Sequence, residues 1–341
     1  MARARFSTAL DLGLQLNCPR KRLHPQPGKL SPTVTKLMDV SIIIVNYNTK
    51  DFLASCLDSI YEQTKANSFE VIVSDNGSAD GSIAMVENYF PKVILIKNRI
   101  NIGFAAANNR AREIAIGKYV FYLNSDTVLL NDAVKHFYEY WESSSSNKVI
   151  GALGCNLVDE SLHVIHSGGR FPTYLDICRR NLNITFLHYF KYILYLLGIR
   201  NLSFLDCVRK VSPRSSTTYL GRIDYVTGAD LFMLNNSDAI FDERFFLYYE
   251  ETDMQLKLKK KGLIRMIIGG PRIIHRTKPR APISKVSSFS TVQSQISSLK
   301  YAKKNLTSRT ALLEFIIKLD WKNRAVRSIL REYSQYFKEC L

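Results

Sequence analysis

The chain has 341 residues, 46% of them apolar and 23% charged, with 16 glycines and 10 prolines; this globular composition excludes collagen-like and low-complexity architecture and leaves room for one large domain or two ordinary ones. The formal net charge of +17 is unevenly spread, with residues 1–38 summing to +6, residues 39–256 to −5 and residues 257–341 to +16, which points to an anionic partner such as nucleic acid, a membrane surface or a phosphorylated substrate. The six cysteines (Cys18, Cys56, Cys155, Cys178, Cys207 and Cys340) form no CxxC pair, which excludes a disulfide scaffold and a zinc finger and suggests a reducing compartment.

Residues 1–37 are polar, dotted with proline and without apolar periodicity. Arg3, Arg5 and Arg20-Lys21-Arg22, with Asp11 the only acid, have the composition of a transit peptide, but no apolar h-region marks a secretory signal. Two readings stand: a targeting segment, or a disordered basic leader ahead of a start at Met38. Regular structure is expected from Val40. Val40–Val45 (VSIIIV) is a continuous apolar run, the pattern of a strand buried on both faces. Phe52, Leu53, Cys56, Leu57 and Ile60 then make a helical stripe. Strands are predicted at 71–73 and 93–96, a helix at 105–115, a strand at 119–123, and a helix carrying Val134, Phe137, Tyr138 and Trp141. Alternation at this spacing predicts a parallel α/β sheet with right-handed crossovers. Ligands of such sheets collect at the carboxyl ends of the strands.

Polar clusters follow each of these strands: Asn46-Tyr47-Asn48, then the run Asp75–Ser82 (DNGSADGS), then Asn101-Ile102-Gly103-Phe104, then Asn124-Ser125-Asp126. Turn and cap chemistry accounts for any one of them. Four at one sheet edge mark a site.

In order and spacing, SIIIVNYN, DNGSADGS, NIGFAAANN and LNSDT, followed by VTGADLFML, FDERFFLYYEETD and IIHR, resemble the inverting family 2 glycosyltransferases of GT-A fold, in particular a rhamnosyltransferase-like branch. The resemblance spans about residues 39–310. It implies an α/β fold: a GT-A-type nucleotide-binding α/β/α sandwich with a mainly parallel central sheet. A GT-A domain over 38–280 would comprise a nucleotide-sugar half (38–150) and an acceptor half (151–280), followed by a basic helical C-terminal extension over 281–341.

What the resemblance implies for the site can be set beside the chemistry. Asp75 would accept from a pyrimidine imide N–H, with Asn46 and Tyr47 lining the same pocket. Asn101, Gly103, Asn108 and Asn124 would complete the nucleotide-sugar site, and Gly228 and Ala229 would let backbone approach the donor sugar closely. Asp126 falls at the family's metal-binding DxD motif, and His275, 24 residues after Glu251, at its metal-proximal histidine. A hard cation, Mg²⁺ or Mn²⁺, wants carboxylate oxygens and open positions for phosphate. Here the first carboxylate of the motif is the amide Asn124. His163 and His166 form an HxxH without an evident acidic partner and are not expected to bind metal.

Phe246–Tyr249 leads four apolar or aromatic residues into Glu250, Glu251 and Asp253. Like charges paired in an apolar setting push a pKa upward, as a general base near neutrality requires. The family pattern makes Glu251 the base, with Glu250 beside it and Asp253 capping or orienting the helix. The alternative is an acidic cluster that only favours the helix dipole.

Phe186, Phe190, Ile193, Leu194 and Leu197 share a helical face among basic residues, but the longest uncharged run there, Tyr192–Ile199, is eight residues, far short of the ~20 needed to span a bilayer. It reads as interfacial or as a buried helix. The tail (Ile296, Leu299, Ala302, Leu312, Leu313, Phe315, Ile316, Leu319, Trp321) is amphipathic and cationic, and reads as suited to an anionic membrane surface or as a solvated, helical, basic C-terminus. The family resemblance implies a nucleotide-diphospho-sugar donor and a glycan or polyprenyl-diphosphate-linked acceptor as partners, and the cationic tail adds an anionic membrane surface. The expected location is cytoplasmic, peripheral on the inner face of the plasma membrane. No nucleic-acid partner is expected, since the tail lacks an RNP-like pattern and the acidic middle repels phosphate backbones. The readings competing with sugar transfer are a catalytically inactive scaffold and a basic nucleic-acid-binding protein.

Overall fold

The computed structural model describes residues 38–144, 147–183, 185, 218–276 and 288–321. The apolar run at the start forms strand β1 (Met38–Asn46), with Val40, Ile42, Ile43 and Ile44 fully buried. It begins at Met38, two residues before the expected Val40, because Met38 already pairs with Gly117 of β4 (Gly117–Asn124). Helix α1 (Lys50–Gln63) presents Leu53, Cys56, Leu57 and Ile60 to the sheet. Next come β2 (Phe69–Asp75), α2 (Ser82–Tyr89), β3 (Ile94–Lys97) and α3 (Phe104–Arg112). The third of these helices stops three residues short of the predicted end.

β1 pairs in parallel with β2 on one side and with β4 on the other, and β2 pairs with β3. The chain therefore reverses its direction of travel across the sheet between β1 and β4, the switch point at which a crevice opens beyond the carboxyl ends. The full order is β3-β2-β1-β4-β10-β6-β11-β8, with β6 (Ile150–Cys155), β8 (Gly221–Ile223), β10 (Asp230–Leu234) and β11 (Ile264–Ile268). β10 runs antiparallel between β4 and β6, so one sheet passes through both expected halves. Phe232 of β10 stacks on Tyr119 and on Phe137 of α4 (Ala133–Ser143), at 5.0 and 5.3 Å between ring centroids.

Two shorter pairings accompany the main sheet. β12 (Ile273–His275) lies antiparallel to β5 (Thr127–Leu129), with His275 opposite Thr127. β7 (Gly168–Gly169) pairs with β9 (Tyr225–Val226). Helix α5 (174–183) and α6 (Glu250–Lys260) follow in their turn.

Over residues 288–321 the expected basic extension is packed into the body of the fold. Helix α7 (Ser288–Asn305) and helix α8 (311–321) share a second buried cluster with α5 and with the segment entering α6: Tyr301, Ala302, Leu313 and Ile316 against Ile177, Phe245 and Tyr249. Of the tail residues read as one amphipathic face, Leu313 and Ile316 are buried whereas Leu312, Phe315 and Leu319 are exposed. The stripe at 186–197 lies outside the described residues.

Candidate active site at the carboxyl edge of the sheet

Strand register sets the first contacts. Asn46 stands opposite Asp75, and Val45 opposite Asn124. Asn46 Nδ2 donates to Asp75 Oδ2 at 2.7 Å, and the Ser78 N–H donates to Asp75 Oδ1 at 2.8 Å. Both Asn46 and Asp75 are buried, while Tyr47 beside them is exposed. Thr49, absent from the sequence reading, donates to Asn46 Oδ1 at 2.6 Å and lies 2.9 Å from the Ser125 hydroxyl. The carboxylate at the end of β2 is thus held in one orientation, with lone pairs left on each oxygen.

The third strand contributes differently from expectation. Its end is fixed by Asn98, which donates to Ser74 and to Asn76 Oδ1. Asn76 in turn donates to Asn101 Oδ1 and to the Gly103 carbonyl, both at 3.2 Å. Gly103 has φ +90°, and a Cβ there would lie 2.6 Å from the Phe246 carbonyl; glycine is what allows the α3 entry to meet the segment before α6, where Phe104 N–H donates to Phe246 O at 2.8 Å. Asn108 is buried and donates to the Phe104 carbonyl of its own helix.

At the end of β4, Asp126 and His275 converge. Pairing of β5 with β12 places His275 Nε2 3.2 Å from Asp126 Oδ1 and 3.4 Å from Asn124 Nδ2. Burial alone would lower the His275 pKa, but the hydrogen bond and charge of Asp126, with Asp230 behind it, outweigh burial and hold it above the ordinary value. Asp230 was not singled out from sequence. It is fully buried on β10, receives the Cys155 N–H at 2.7 Å, and burial pushes it up to about 7. No group of three or more His, Cys, Asp or Glu forms a metal cage among the described residues. One carboxylate and one imidazole at a crevice mouth do fit the open kind of site, in which a hard cation takes its other ligands from phosphate and water.

The acidic trio lies in the first turn of α6. Glu250 and Glu251 open α6, and each keeps one buried carboxylate oxygen with no hydrogen-bond partner. Burial first, and then the charge of Glu251, raises the Glu250 pKa well above its ordinary value; burial raises that of Glu251. A Cβ placed on Gly228 would lie 3.8 Å from Glu251 Cβ and 3.5 Å from the Phe104 ring, so Gly228 packs directly beside Glu251. Ala229 accepts the Asn124 N–H at 3.2 Å, closing the circle back to β4.

Immediately before the pair, Tyr248 and Tyr249 both have φ +70°. Left-handed backbone at two consecutive aromatic residues costs about 1–3 kcal/mol each and persists only where packing over-determines it. Helix α7 supplies that packing: Ser297 donates to the Leu247 carbonyl, Lys300 to the Arg244 carbonyl, and Tyr248 meets Ser290 at 2.6 Å. Asp253 belongs to this support. It is fully buried and bound by Lys304 Nζ at 2.7 Å and Asn305 Nδ2 at 2.8 Å, so it orients the helix, while the N-cap position is held by Tyr249.

The HxxH motif requires one correction. His163 does have an acidic neighbour, Asp159, 3.6 Å away, because the turn at 159–163 folds back on itself; His166 instead lies 3.4 Å from the Tyr225 hydroxyl.

Residues 41–192 match the family model described as Glycosyl transferase family 2. Asn46, Asp75, Asn124 and Asp126 fall inside that range; Gly228, Glu250, Glu251 and His275 lie beyond it. With the mainly parallel, helix-flanked sheet, the match makes the fold GT-A-like. The chain is 31% identical over 121 residues to a poly(ribitol-phosphate) beta-glucosyltransferase of Bacillus spizizenii, covering 34% of this chain and 19% of that protein. It is 29% identical over 160 residues to the abequosyltransferase RfbV of Salmonella typhimurium, covering 41% of this chain and 48% of that one. The chain thus spans less than half the length of each of these relatives. Among solved structures, the mannosyltransferase PcManGT from Pyrobaculum calidifontis in complex with GDP-Man and Mn²⁺ superposes with a TM-score of 0.49 at 14% identity, covering 89% of this chain and 79% of that one.

Proposed function

We propose that this protein is an inverting glycosyltransferase that moves a sugar from a nucleotide-diphospho-sugar to a hydroxyl of a glycan or polyprenyl-diphosphate-linked acceptor, with Glu251 as general base. The observation that carries the reading is the adjacent carboxylates Glu250 and Glu251, both with raised pKa and each with one buried, unpartnered oxygen, Glu251 lying against Gly228. A buried carboxylate with a free oxygen has both the basicity and the vacant lone pair that proton abstraction needs.

The chain's residues then divide the work. Asp75, oriented by Asn46 and Ser78, receives the nucleobase. Gly228 lets backbone approach the donor sugar. Glu251 takes the acceptor hydroxyl proton as that oxygen attacks the anomeric carbon; the bond from that carbon to the diphosphate oxygen breaks, its electron pair leaves with the diphosphate, and configuration inverts. Asp126 and His275 are the residues that would hold Mg²⁺ or Mn²⁺, which supplies charge compensation to the leaving diphosphate. Rhamnose is the donor sugar that the sequence resemblance implies.

Membrane association on an anionic leaflet belongs to the same proposal. No helix among the described residues is long and apolar enough to cross a membrane, and what supports a peripheral mode is the exposed set Leu312, Phe315 and Leu319 on α8 in a strongly cationic part of the chain. The test is a transfer assay over a panel of nucleotide-sugars with the anomeric configuration of product and donor read by NMR. Retention of configuration, or turnover unaffected by Glu251→Gln, would refute the mechanism.

A further inference from the structure

A cavity of about 640 Å³ lies at the β8 edge of the sheet, its wall including Gly168, Gly169, Arg170, Arg222, Asp224 and Arg265. Its charge is unbalanced. Arg265 is only 6% exposed, yet its close contacts are the carbonyls of Asp224 and Leu263, at 2.7 and 2.6 Å, and its nearest carboxylate oxygen, on Asp224, is 3.8 Å away. That single carboxylate is divided further: Asp224 Oδ2 accepts the Phe171 N–H at 3.1 Å, and Oδ1 lies 3.5 Å from Lys259. Arg170 and Arg222 are exposed and have no carboxylate partner among the described residues. The lining itself therefore carries three guanidiniums and one carboxylate, a surplus of two positive charges, with Lys259 adding a further cation beside it. A buried guanidinium without a close counter-ion is costly to the free protein, and a ligand dianion would relieve that cost.

The cavity is joined to the catalytic pair through one aromatic layer. Gly168 and Gly169 pair with Val226 and Tyr225, and Gly228 follows two residues later. Phe171, which lies under Lys259 and Arg265 at 5.3 and 5.4 Å, stacks on Tyr225 at 6.3 Å. A Cβ on Gly169, in the cavity wall, would lie 3.4 Å from the Tyr225 ring and hydroxyl, and burial, and after it the charge of Glu251, raises that hydroxyl.

We propose that this cavity is a phosphate subsite for the acceptor: Arg170, Arg222 and Arg265 hold a phosphate or diphosphate group carried by the acceptor, whose sugar hydroxyl extends past Tyr225 to Glu251. The proposal rests on the glycosyl-transfer reading and names the acceptor's chemistry. Guanidinium forks match phosphate oxygens in geometry, and a surplus of two charges matches a dianion better than a single carboxylate. The phosphate can come from a lipid-linked diphosphate or from phosphodiesters of a polymer.

The test is calorimetric titration of the full chain, in EDTA and low salt, with inorganic pyrophosphate, glycerophosphoglycerol and glucuronate. Pyrophosphate or the phosphodiester is expected to bind, the stronger of the two identifying the source. Arg170→Gln and Arg222→Gln, both at exposed positions, should each weaken that binding roughly tenfold, as loss of one charge-assisted hydrogen bond does; Asp75→Asn, in the nucleotide pocket, should leave it unchanged. Glucuronate binding as tight as phosphate, no phosphate binding at all, or a loss on Asp75→Asn but not on the arginine variants would overturn the subsite. Because the titration needs no turnover, a chain that binds phosphate in this way but transfers no sugar would refute the transfer reading separately.

Discussion

Gln255 pairs with the backbone of Val226 in both directions: its Oε1 accepts the Val226 N–H at 2.8 Å and its Nε2 donates to the Val226 carbonyl at 2.7 Å. A fully buried side-chain amide thus continues the ladder beyond β9 and fixes α6 to the strand that leads to Gly228. Gln255→Leu leaves two buried backbone groups unpaired, each worth about 1–3 kcal/mol, so unfolding free energy should fall by about 2–5 kcal/mol in urea denaturation. A midpoint equal to that of the parent would mean the pairing adds register without stability.

Lys304 and Asp253 form the second clamp on α6. The carboxylate is fully buried and its ammonium partner is one-quarter exposed, 2.7 Å away, with Lys304 also reaching Asp242 at 2.5 Å. Removing one partner of a buried pair strands the other charge, at about 3–5 kcal/mol. Lys304→Met should approach the lower end of that range because Asn305 still donates to Asp253. Urea midpoints of Lys304→Met and Lys304→Arg decide the matter: the arginine variant should recover most of the loss.

Much of the nucleotide-side geometry was legible because it follows from local pattern. An apolar run buried on both faces, closed by Asn46 or Asp75, needs only strand register to bring those residues together. The supports were not legible. Gln255 sits among lysines on a helix whose sequence looks solvated, and its partner is 29 residues earlier. Asp230 opens an apolar strand and looks like a turn residue until burial between β4 and β6 raises it. Lys304 lay in a stretch whose charge suggested a solvated or membrane-bound tail; Tyr301 and Ala302, three and two residues before it, are instead core. The left-handed Tyr248 and Tyr249 carry no sequence signal, since glycine is the usual residue there.

Asp126 and His275 give the metal prediction. If their 3.2 Å pair is the protein's share of a Mg²⁺ or Mn²⁺ site, Asp126→Asn should abolish metal-stimulated transfer while thermal denaturation stays cooperative. Mn²⁺ should also raise the parent's melting temperature in the presence of nucleoside diphosphate, and not the variant's. Full activity in EDTA would remove the cation from the mechanism.

The acidic pair should leave a mark on stability as well as on rate. Glu250 and Glu251 both have folded pKa values above the unfolded value of about 4.5. Between the two values the folded state holds more protons than the unfolded state, so stability falls as pH rises from about 4.5 through the folded values. Glu250→Gln deletes one of these groups. The melting-temperature advantage of that variant over the parent should therefore widen between pH 5 and pH 8, by roughly 2–4 °C for each kcal/mol recovered. Parallel pH curves for the two proteins would show the carboxylates to be solvated.

The catalytic assignment itself turns on two neighbours of the same type. Adjacent residues on a helix project about 100° apart, and a built Cβ on Gly228 approaches that of Glu251, so Glu251 is the carboxylate on the side of Gly228, where the proposed donor sugar would sit. Glu250 is the more enclosed residue, 4% exposed, and its burial keeps it from direct exchange with an acceptor in the crevice. Loss of a general base costs ~10²–10⁴ in rate. Glu251→Gln should lose that much kcat with donor affinity intact, since the proposed nucleotide pocket lies around Asp75 and Asp126. Glu250→Gln should lose less, because burial and not the charge of Glu250 is what raises Glu251, so the acidic limb of the pH–kcat profile should stay close to that of the parent. A reversed ranking would shift the base by one residue. Losses below about tenfold in both would reduce the cluster to favourable charge at a helix N-terminus.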